Sequence, residues 1–515
     1  MTDLLRIVSL VTFALTAAAT PASAAWQRAS SPHFIIYADE SPDKLKAFAE
    51  KLERFDKAVR VTRTMKDPPV GDGNRLTVFV VPSTLDVQRL KRGADSGIAG
   101  FYRTRASGSI AVVPRKLSSK SVMTPDTIFF HEYAHHLMFQ DIDTPYPPWL
   151  VEGFAEFMAT AEVNPDGSVG LGGAAVHRAP SLYRPINPLP FSSMLGAEPP
   201  RSGPERAALY ARGWLLAHYL TFAPKRRGQL EAYLTGMSAG RSPLDAAKAA
   251  FGNLAALERE TEVYLRADKF AFLTLPPTSL PIGTVVIEPV SPGMTALMPL
   301  FMRLKAGTDV ADRAGLAAKV RAAAAASPAD PMVQAALAEA ELDAGDLVAA
   351  EAAADRAIAT RPEHVDALIL KGRAILARAS AKQSGASFSD ARGWLMRANK
   401  IDPEDPEPLI LFYQSYRNEM IRPTANAIAA LHYAASLAPQ DSGLRLGNAR
   451  QYLADGKPAD ARKALVPLAY NPHGGSLSDE ARRLIGLIDS RPQITTPLPT
   501  APDPDHGPLG SIHGN

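Results

Sequence analysis

The chain has 515 residues, of which 46% are hydrophobic and 21% charged, with a formal net charge of +3 and no cysteine. That length suits two or three domains, and that composition suits an ordinary soluble globular protein. So small a charge gives no reason to invoke nucleic acid or an anionic membrane, and the missing cysteine excludes disulfides, thiolate metal sites and a lipidated N-terminal cysteine.

The first predicted element is an export signal. Arg6 precedes an apolar run over residues 7–19, and Ala22, Ser23 and Ala24 form a small-x-small cleavage site. Residues 1–24 read as a secretory signal peptide, with the bacterial periplasm as destination and full secretion as the alternative. The run is shorter than the roughly 20 residues a membrane span needs, so an uncleaved anchor stands second. No other stretch is apolar enough to leave a span in the mature chain. Residues 33–38 (HFIIYA) read as a strand. Residues 41–65 read as an amphipathic helix, with Ser41 as N-cap, Pro42 in the first turn, and Leu45, Phe48, Leu52, Phe55 and Val59 at helical spacing. A polar loop follows over 67–73. Residues 76–81 (LTVFVV) are almost continuously apolar, which predicts a buried strand. A short helix over 83–92 leads to strands over 98–102 and 109–113, joined through 103–108 as a hairpin.

The next stretch, TPDTIFFHEYAHHLMFQD, contains His131, Glu132 and His135 in an HExxH pattern. Residues four apart share one face of a helix, so both imidazoles can aim at one point. That point suits zinc, and Glu132 can face the open position and take a proton from a water there. The flanking Ile128, Phe129, Phe130, Leu137 and Met138 make this a core helix rather than a surface helix with scattered histidines. His136 points about 100° away round the helix and is not counted as a ligand. After the turn signal of Pro147 and Pro148 comes WLVEGFAEF, a second apolar helix. Glu152 supplies the zinc carboxylate. Glu156, on the same face, takes the other ring N–H of either His131 or His135 and fixes its tautomer. Two histidines and one glutamate make a catalytic site for one Zn2+ per chain, with one open position.

HExxH followed by W-L-x-E-G-[FL]-A resembles the gluzincin metallopeptidases, the clan of thermolysin and aminopeptidase N, and especially the peptidase MA-like families. The resemblance covers roughly residues 30–270 and is concentrated in 128–157. It implies that His131, His135 and Glu152 bind zinc and that Glu132 is the general base. It also implies a substrate-pairing edge strand just before the zinc helix, for which residues 109–113 are the candidate, an ordinary covered strand being the alternative. In the aminopeptidase-like members a tyrosine well downstream stabilises the oxyanion; Tyr210, 58 residues after Glu152, looks similar, with a core tyrosine as the alternative. The glutamate that holds a substrate's free amine in the aminopeptidases has no counterpart in GSIAVVP, residues 108–114. That favours an endopeptidase or a different exopeptidase.

Residues 164–204 are rich in Gly and Pro and read as a loop, either over the cleft or simply exposed. Residues 204–222 form a buried helix carrying Tyr210 and Arg212. His177, Tyr183 and His218 are weaker site candidates that read as structural. Residues 229–271 read as two helices closing a domain over 25–275, and 276–292 as a Pro-rich linker. From 293 alanine dominates and Pro328, Pro362, Pro403, Pro439 and Pro472 recur at intervals of 34, 41, 36 and 33 residues. A 34-residue helix-turn-helix period is the tetratricopeptide signature, giving four or five repeats over 293–490, with a loop inserted near 381–387. The alternative is a generic alanine-rich bundle. Residues 491–515 are Pro-rich and read as a disordered tail.

The predicted fold is therefore an α+β zincin-like metallopeptidase domain, with a small N-terminal sheet, the HExxH helix and a helical lower part, followed by an all-α tetratricopeptide-like solenoid. The expected function is peptide hydrolysis by zinc-activated water, with peptide or protein as substrate and a protein partner on the repeats. The alternative is a non-enzymatic envelope scaffold acting through the repeats, with an inactive peptidase-like domain.

Overall fold

The computed structural model of the chain describes residues 26–67, 70–91, 99–117, 121–140, 146–186, 188–196, 202–470 and 475–490. The signal peptide expected over 1–24 and the disordered tail expected over 491–515 lie outside the described residues, as does Pro472. The strands are β1 (Gln27–Ser30), β2 (Phe34–Ala38), β3 (Leu76–Ser83), β4 (Phe101–Arg103), β5 (Ile110–Lys116), β6 (Glu162–Val163), β7 (Val169–Leu171), β8 (Leu273–Leu275) and β9 (Val286–Pro289). One sheet has the order β4-β5-β3-β2-β1-β9, and a smaller one the order β6-β7-β8. In the larger sheet β2, β3 and β5 run parallel, with Ile36 opposite Val78 and Val78 opposite Ala111. The flanking strands pair antiparallel.

The helices before the repeats are α1 (Pro42–Arg63), α2 (Thr84–Leu90), α3 (Pro125–Gln140), α4 (Pro148–Ala159), α5 (Ala179–Tyr183), α6 (Phe191–Met194), α7 (Gly203–Phe222), α8 (Gln229–Ser238), α9 (Pro243–Phe251) and α10 (Leu254–Leu265). Ser41 stands at the N-cap of α1 without a side-chain cap bond. Residues 229–271 hold three helices rather than two. Ser242 and Asn253 each cap a new start, and Gly252 at φ +77° turns the chain between them. The stretch 164–204 is not all loop, because β7, α5 and α6 lie in it.

Two sequence expectations are corrected here. Residues 109–113 do not form an open edge: Ile110, Ala111 and Val112 pair with β4, leaving that side of 113–116 without a strand partner among the described residues. Residues 276–292 are more than a linker, since β9 closes the far edge of the sheet by pairing with β1, Ala29 opposite Ile287. Neither partner strand shows a full apolar alternation, so the pairing has no local signature.

After this comes an array of helix pairs. They are α11 (Pro292–Ala306) with α12 (Val310–Ala324), α13 (Pro331–Ala344) with α14 (Leu347–Thr360), α15 (Val365–Ser380) with α16 (Phe388–Ile401), α17 (Pro406–Asn418) with α18 (Ala425–Leu437), and α19 (Ser442–Ala454) with α20 (Pro458–Ala469); α21 (Ser476–Asp489) ends the series. Side-chain caps fix many of the starts, among them Ser291, Asp330, Asp346, Ser387, Asp405, Thr424 and Asp441. Fully buried Ala353, Ala354 and Ala357 let α14 lie close to its neighbours. This is a helical-repeat array.

The larger sheet is covered on both faces. Ile36, Val78, Val80, Ala111 and Val113 point to α1 and α3, whereas Tyr37, Phe79, Val81, Ile110 and Val112 share a core with Met294, Leu297 and Met298 of α11. That double burial explains the unbroken apolar run of β3. The array thus packs on the back of the sheet whose front carries α3.

Candidate metal centre

Helix α3 begins with a reciprocal cap. Thr124 Oγ1 accepts from Thr127 N at 3.1 Å, and Thr127 Oγ1 accepts from Thr124 N at 3.2 Å. Its inner face is fixed on α1: Phe130 stacks on Phe55 at 3.9 Å, and Tyr133 Oη donates to Asp56 at 2.7 Å. Helix α4 is set by its contact with α7. A β-carbon at Gly153 would sit 2.4 Å from the carbonyl carbon of Gly213, so the two backbones touch. Only glycine at both positions permits that approach. It carries Glu152 toward α3 and, one turn before Gly213, brings Tyr210 to the same place.

Where these helices meet, His131, His135 and Glu152 converge. The Nε2 atoms of His131 and His135 are 3.2 Å apart, and Glu152 Oε2 lies 3.6 Å from the first and 3.5 Å from the second. Donors about 2.0–2.1 Å from a tetrahedral zinc ion stand about 3.3–3.4 Å from one another. Donor type, number and spacing therefore all fit zinc. Glu152 and His135 are buried and His131 is half-buried, so the cluster opens on one side.

Glu156 lies behind the first histidine. Its Oε1 is 3.1 Å from His131 Nδ1, which leaves Nε2 of that ring to face the donor cluster. Of the two histidines the sequence offered for this contact, His131 is the one that receives it. His177 Nε2 reaches Glu156 at 2.6 Å and Arg178 Nε at 2.9 Å. Burial alone would raise the Glu156 pKa, but the bonds from His131, His177 and Arg178 overcome it and hold the group well below the ordinary carboxylate value. Burial likewise pushes the His131 pKa down, and the bond to Glu156 with the charges of Glu156, Glu132 and Glu152 reverses this, raising it to about 9. His177 stood in the sequence only as a weaker candidate that read as structural, and Arg178 carried no signal, because both sit on a short turn at Val176–Arg178 with no periodicity.

Tyr210 stands beside the cluster. Its ring is 5.9 Å from that of His131, and the Arg178 guanidinium lies 4.8 Å over it. Burial, and behind it the charge of Glu152, raise the phenol's pKa, so the hydroxyl keeps its proton. Glu132 is half-buried, and its charge acts on both His131 and Tyr210. Other candidates lie elsewhere. His136 bonds to Tyr102 Oη at 2.6 Å and to Gln140 at 3.0 Å, behind α3. His218 is buried between Gly172 O and Tyr264. Tyr183 donates to Leu265 O, and Arg212 pairs with Glu258.

A second cluster, His33 with Asp56 and Asp67, has metal-like spacing. Arg60 bonds to Asp56 at 2.7 Å and Lys57 to Asp67 at 2.6 Å, so internal cations already neutralise it. It acts as an ion-pair lock under α3.

No family model matches the chain, and no curated protein matches it either. Among solved structures it is similar to a thermophilic TPR protein of Thermus thermophilus, at 19% identity and a TM-score of 0.31, with 38% of this chain and 98% of that one covered. It is also similar to the MamA RS-1 ArsTM double mutant, at 15% identity and a TM-score of 0.27, with 39% and 99% covered. No helix among the described residues is long and apolar enough to cross a membrane.

Proposed function

We propose that the chain is an exported zinc-dependent metallopeptidase of zincin-like fold, cutting within peptide chains. The observation that carries this reading is the set of donor atoms from His131, His135 and Glu152, 3.2–3.6 Å apart on two helices, with Glu132 adjoining them. A zinc ion held there supplies Lewis acidity, lowering the pKa of a water and polarising a carbonyl. Glu132 takes the proton of the attacking water and hands it to the leaving amine. Tyr210, kept protonated, donates to the oxygen on which negative charge develops. Glu156 orients His131, and His177 and Arg178 hold Glu156. Among the described residues 113–116 have no strand partner on one side, which supports binding of an extended substrate there by strand addition.

The test is hydrolysis of an unstructured protein by the zinc-loaded chain, with and without chelator. Glu132→Gln should keep its zinc and lose at least about a hundredfold in rate. A variant that cuts at the normal rate would remove Glu132 from the mechanism.

The helix pairs favour a second reading, in which the chain is an envelope scaffold that binds protein partners through its array and the front of the sheet does no chemistry. Chelator-insensitive inertness toward every unstructured substrate, in a chain that binds no zinc, is the outcome that selects it.

A further inference from the structure

The first helices of neighbouring pairs touch one another, α11 with α13, α13 with α15 and α15 with α17, whereas the second helices make no comparable contact among the described residues. The first helices therefore line the inner side of the array. That side is not empty, because the loop 103–108 between β4 and β5 projects into it. Arg105 is 7% exposed and Ala106 2%. Ala106 sits in an apolar cluster with Ile410, Tyr413 and Leu444. Gln440 Nε2 donates to Arg105 O at 3.1 Å, and the Arg105 guanidinium donates to Lys305 O at the end of α11. The charges of Glu339 and Asp343 on α13 and of Glu407 on α17 act on that guanidinium. The groove thus holds an arginine followed by an alanine.

The resident occupant leaves one of its polar atoms unsatisfied. Arg105 Nε is buried and has no hydrogen-bond partner among the described residues, and Glu339 and Glu407 bond Lys305 and Arg373 instead of it. The loop is also carried by the weakest element of the sheet, since β4 pairs over three residues only. Short edge pairs open at low cost.

We propose that the inner groove of the array is a binding site for a basic, arginine-bearing extended segment of a partner protein, and that the chain's own loop 103–108 is its exchangeable internal ligand. A partner segment whose guanidinium bonds a groove carboxylate outcompetes the loop. Exchange frees β4, which carries Tyr102, the residue bonded to His136 behind α3. Occupancy of the groove is in this way linked to the helix that bears His131 and His135. The inference stands apart from the peptidase reading, since it concerns binding alone.

The probe is a fluorescent peptide with the sequence of residues 101–109 (FYRTRASGS), titrated onto the full chain by anisotropy. Arg105→Ala weakens the internal ligand and leaves the groove intact, so it should bind the peptide at least about tenfold more tightly than the wild type. Adding Glu339→Gln and Glu407→Gln should abolish that gain. Hydrogen exchange across β4 should rise when the wild type is saturated with peptide. Arg105→Met, which keeps the aliphatic stem, takes the place of Arg105→Ala if circular dichroism shows the latter to be unfolded. Equal binding by wild type and variant, binding by neither, or a gain that survives loss of both carboxylates would overturn the proposal, as would a gain explained by dimerisation through swapped loops.

Discussion

Glu156 is the residue on which the site's cations converge, and its effect should reach a zinc ion proposed among His131, His135 and Glu152 although its carboxylate faces away from them. Its contact at 3.1 Å sets which nitrogen of His131 looks into the donor cluster, while His177 and Arg178 keep it ionised. Glu156→Gln keeps the shape and removes the charge, so zinc affinity should fall by about 10–100-fold, as outer-shell substitutions do. Competition against a chromophoric chelator measures it, and an unchanged affinity would show that Glu156 is merely structural. HExxH and the EGxxE that follows were legible in the sequence because their partners lie four residues apart on helices, where spacing dictates direction. Arg178 was not, and His177 stood only as a weak candidate that read as structural, since both reach Glu156 across space from an aperiodic turn.

Among the elements, the crossing of α4 and α7 decides whether the donors meet at all. In an isolated helix Gly153→Ala would be favourable by about 1 kcal/mol. Here the added methyl would lie 2.4 Å from a backbone carbon of Gly213, an atom that cannot swing aside. The clash outweighs the propensity gain, and we expect a net loss of about 1–3 kcal/mol in chemical denaturation, with weakened zinc binding because Glu152 moves with its neighbour. A variant as stable as the parent and fully loaded would contradict this. Helix α3, helix α4 and strand β3 were readable from apolar runs and periodicity. Strands β1 and β9 were not, because QRAS and VIEP show no clean alternation and their pairing spans about 260 residues of chain.

In the molecule as a whole, the helical array and the sheet share a core, and their contact carries a titratable group. Asp405, 1% exposed, lies against Gly73 and accepts from Glu407 N at 2.9 Å. Burial, followed by the charge of Glu407, raises its pKa to about 8. A folded-state value above the unfolded one means stability that is full below the ordinary carboxylate range and is lost as pH rises through about 8. Asp405→Asn keeps the cap and cannot ionise. It should match the wild type near pH 4 and melt a few degrees higher near pH 9, roughly the shift that 1 kcal/mol produces. Equal melting at both values would contradict the linkage. The composition change near residue 293 suggested a boundary, and α11 starts at Pro292. The alternation of Tyr37, Phe79 and Val81 onto a second face was the clue that the array also covers the sheet. The proposed metal centre rests on the convergence of His131, His135 and Glu152. Zinc per chain, measured by elemental mass spectrometry on the purified full chain beside His135→Ala and Glu152→Ala, tests it most directly. One zinc is expected in the wild type, and its loss in both variants. A wild type that holds none, even after reconstitution with zinc, would contradict it and leave the scaffold reading in its place.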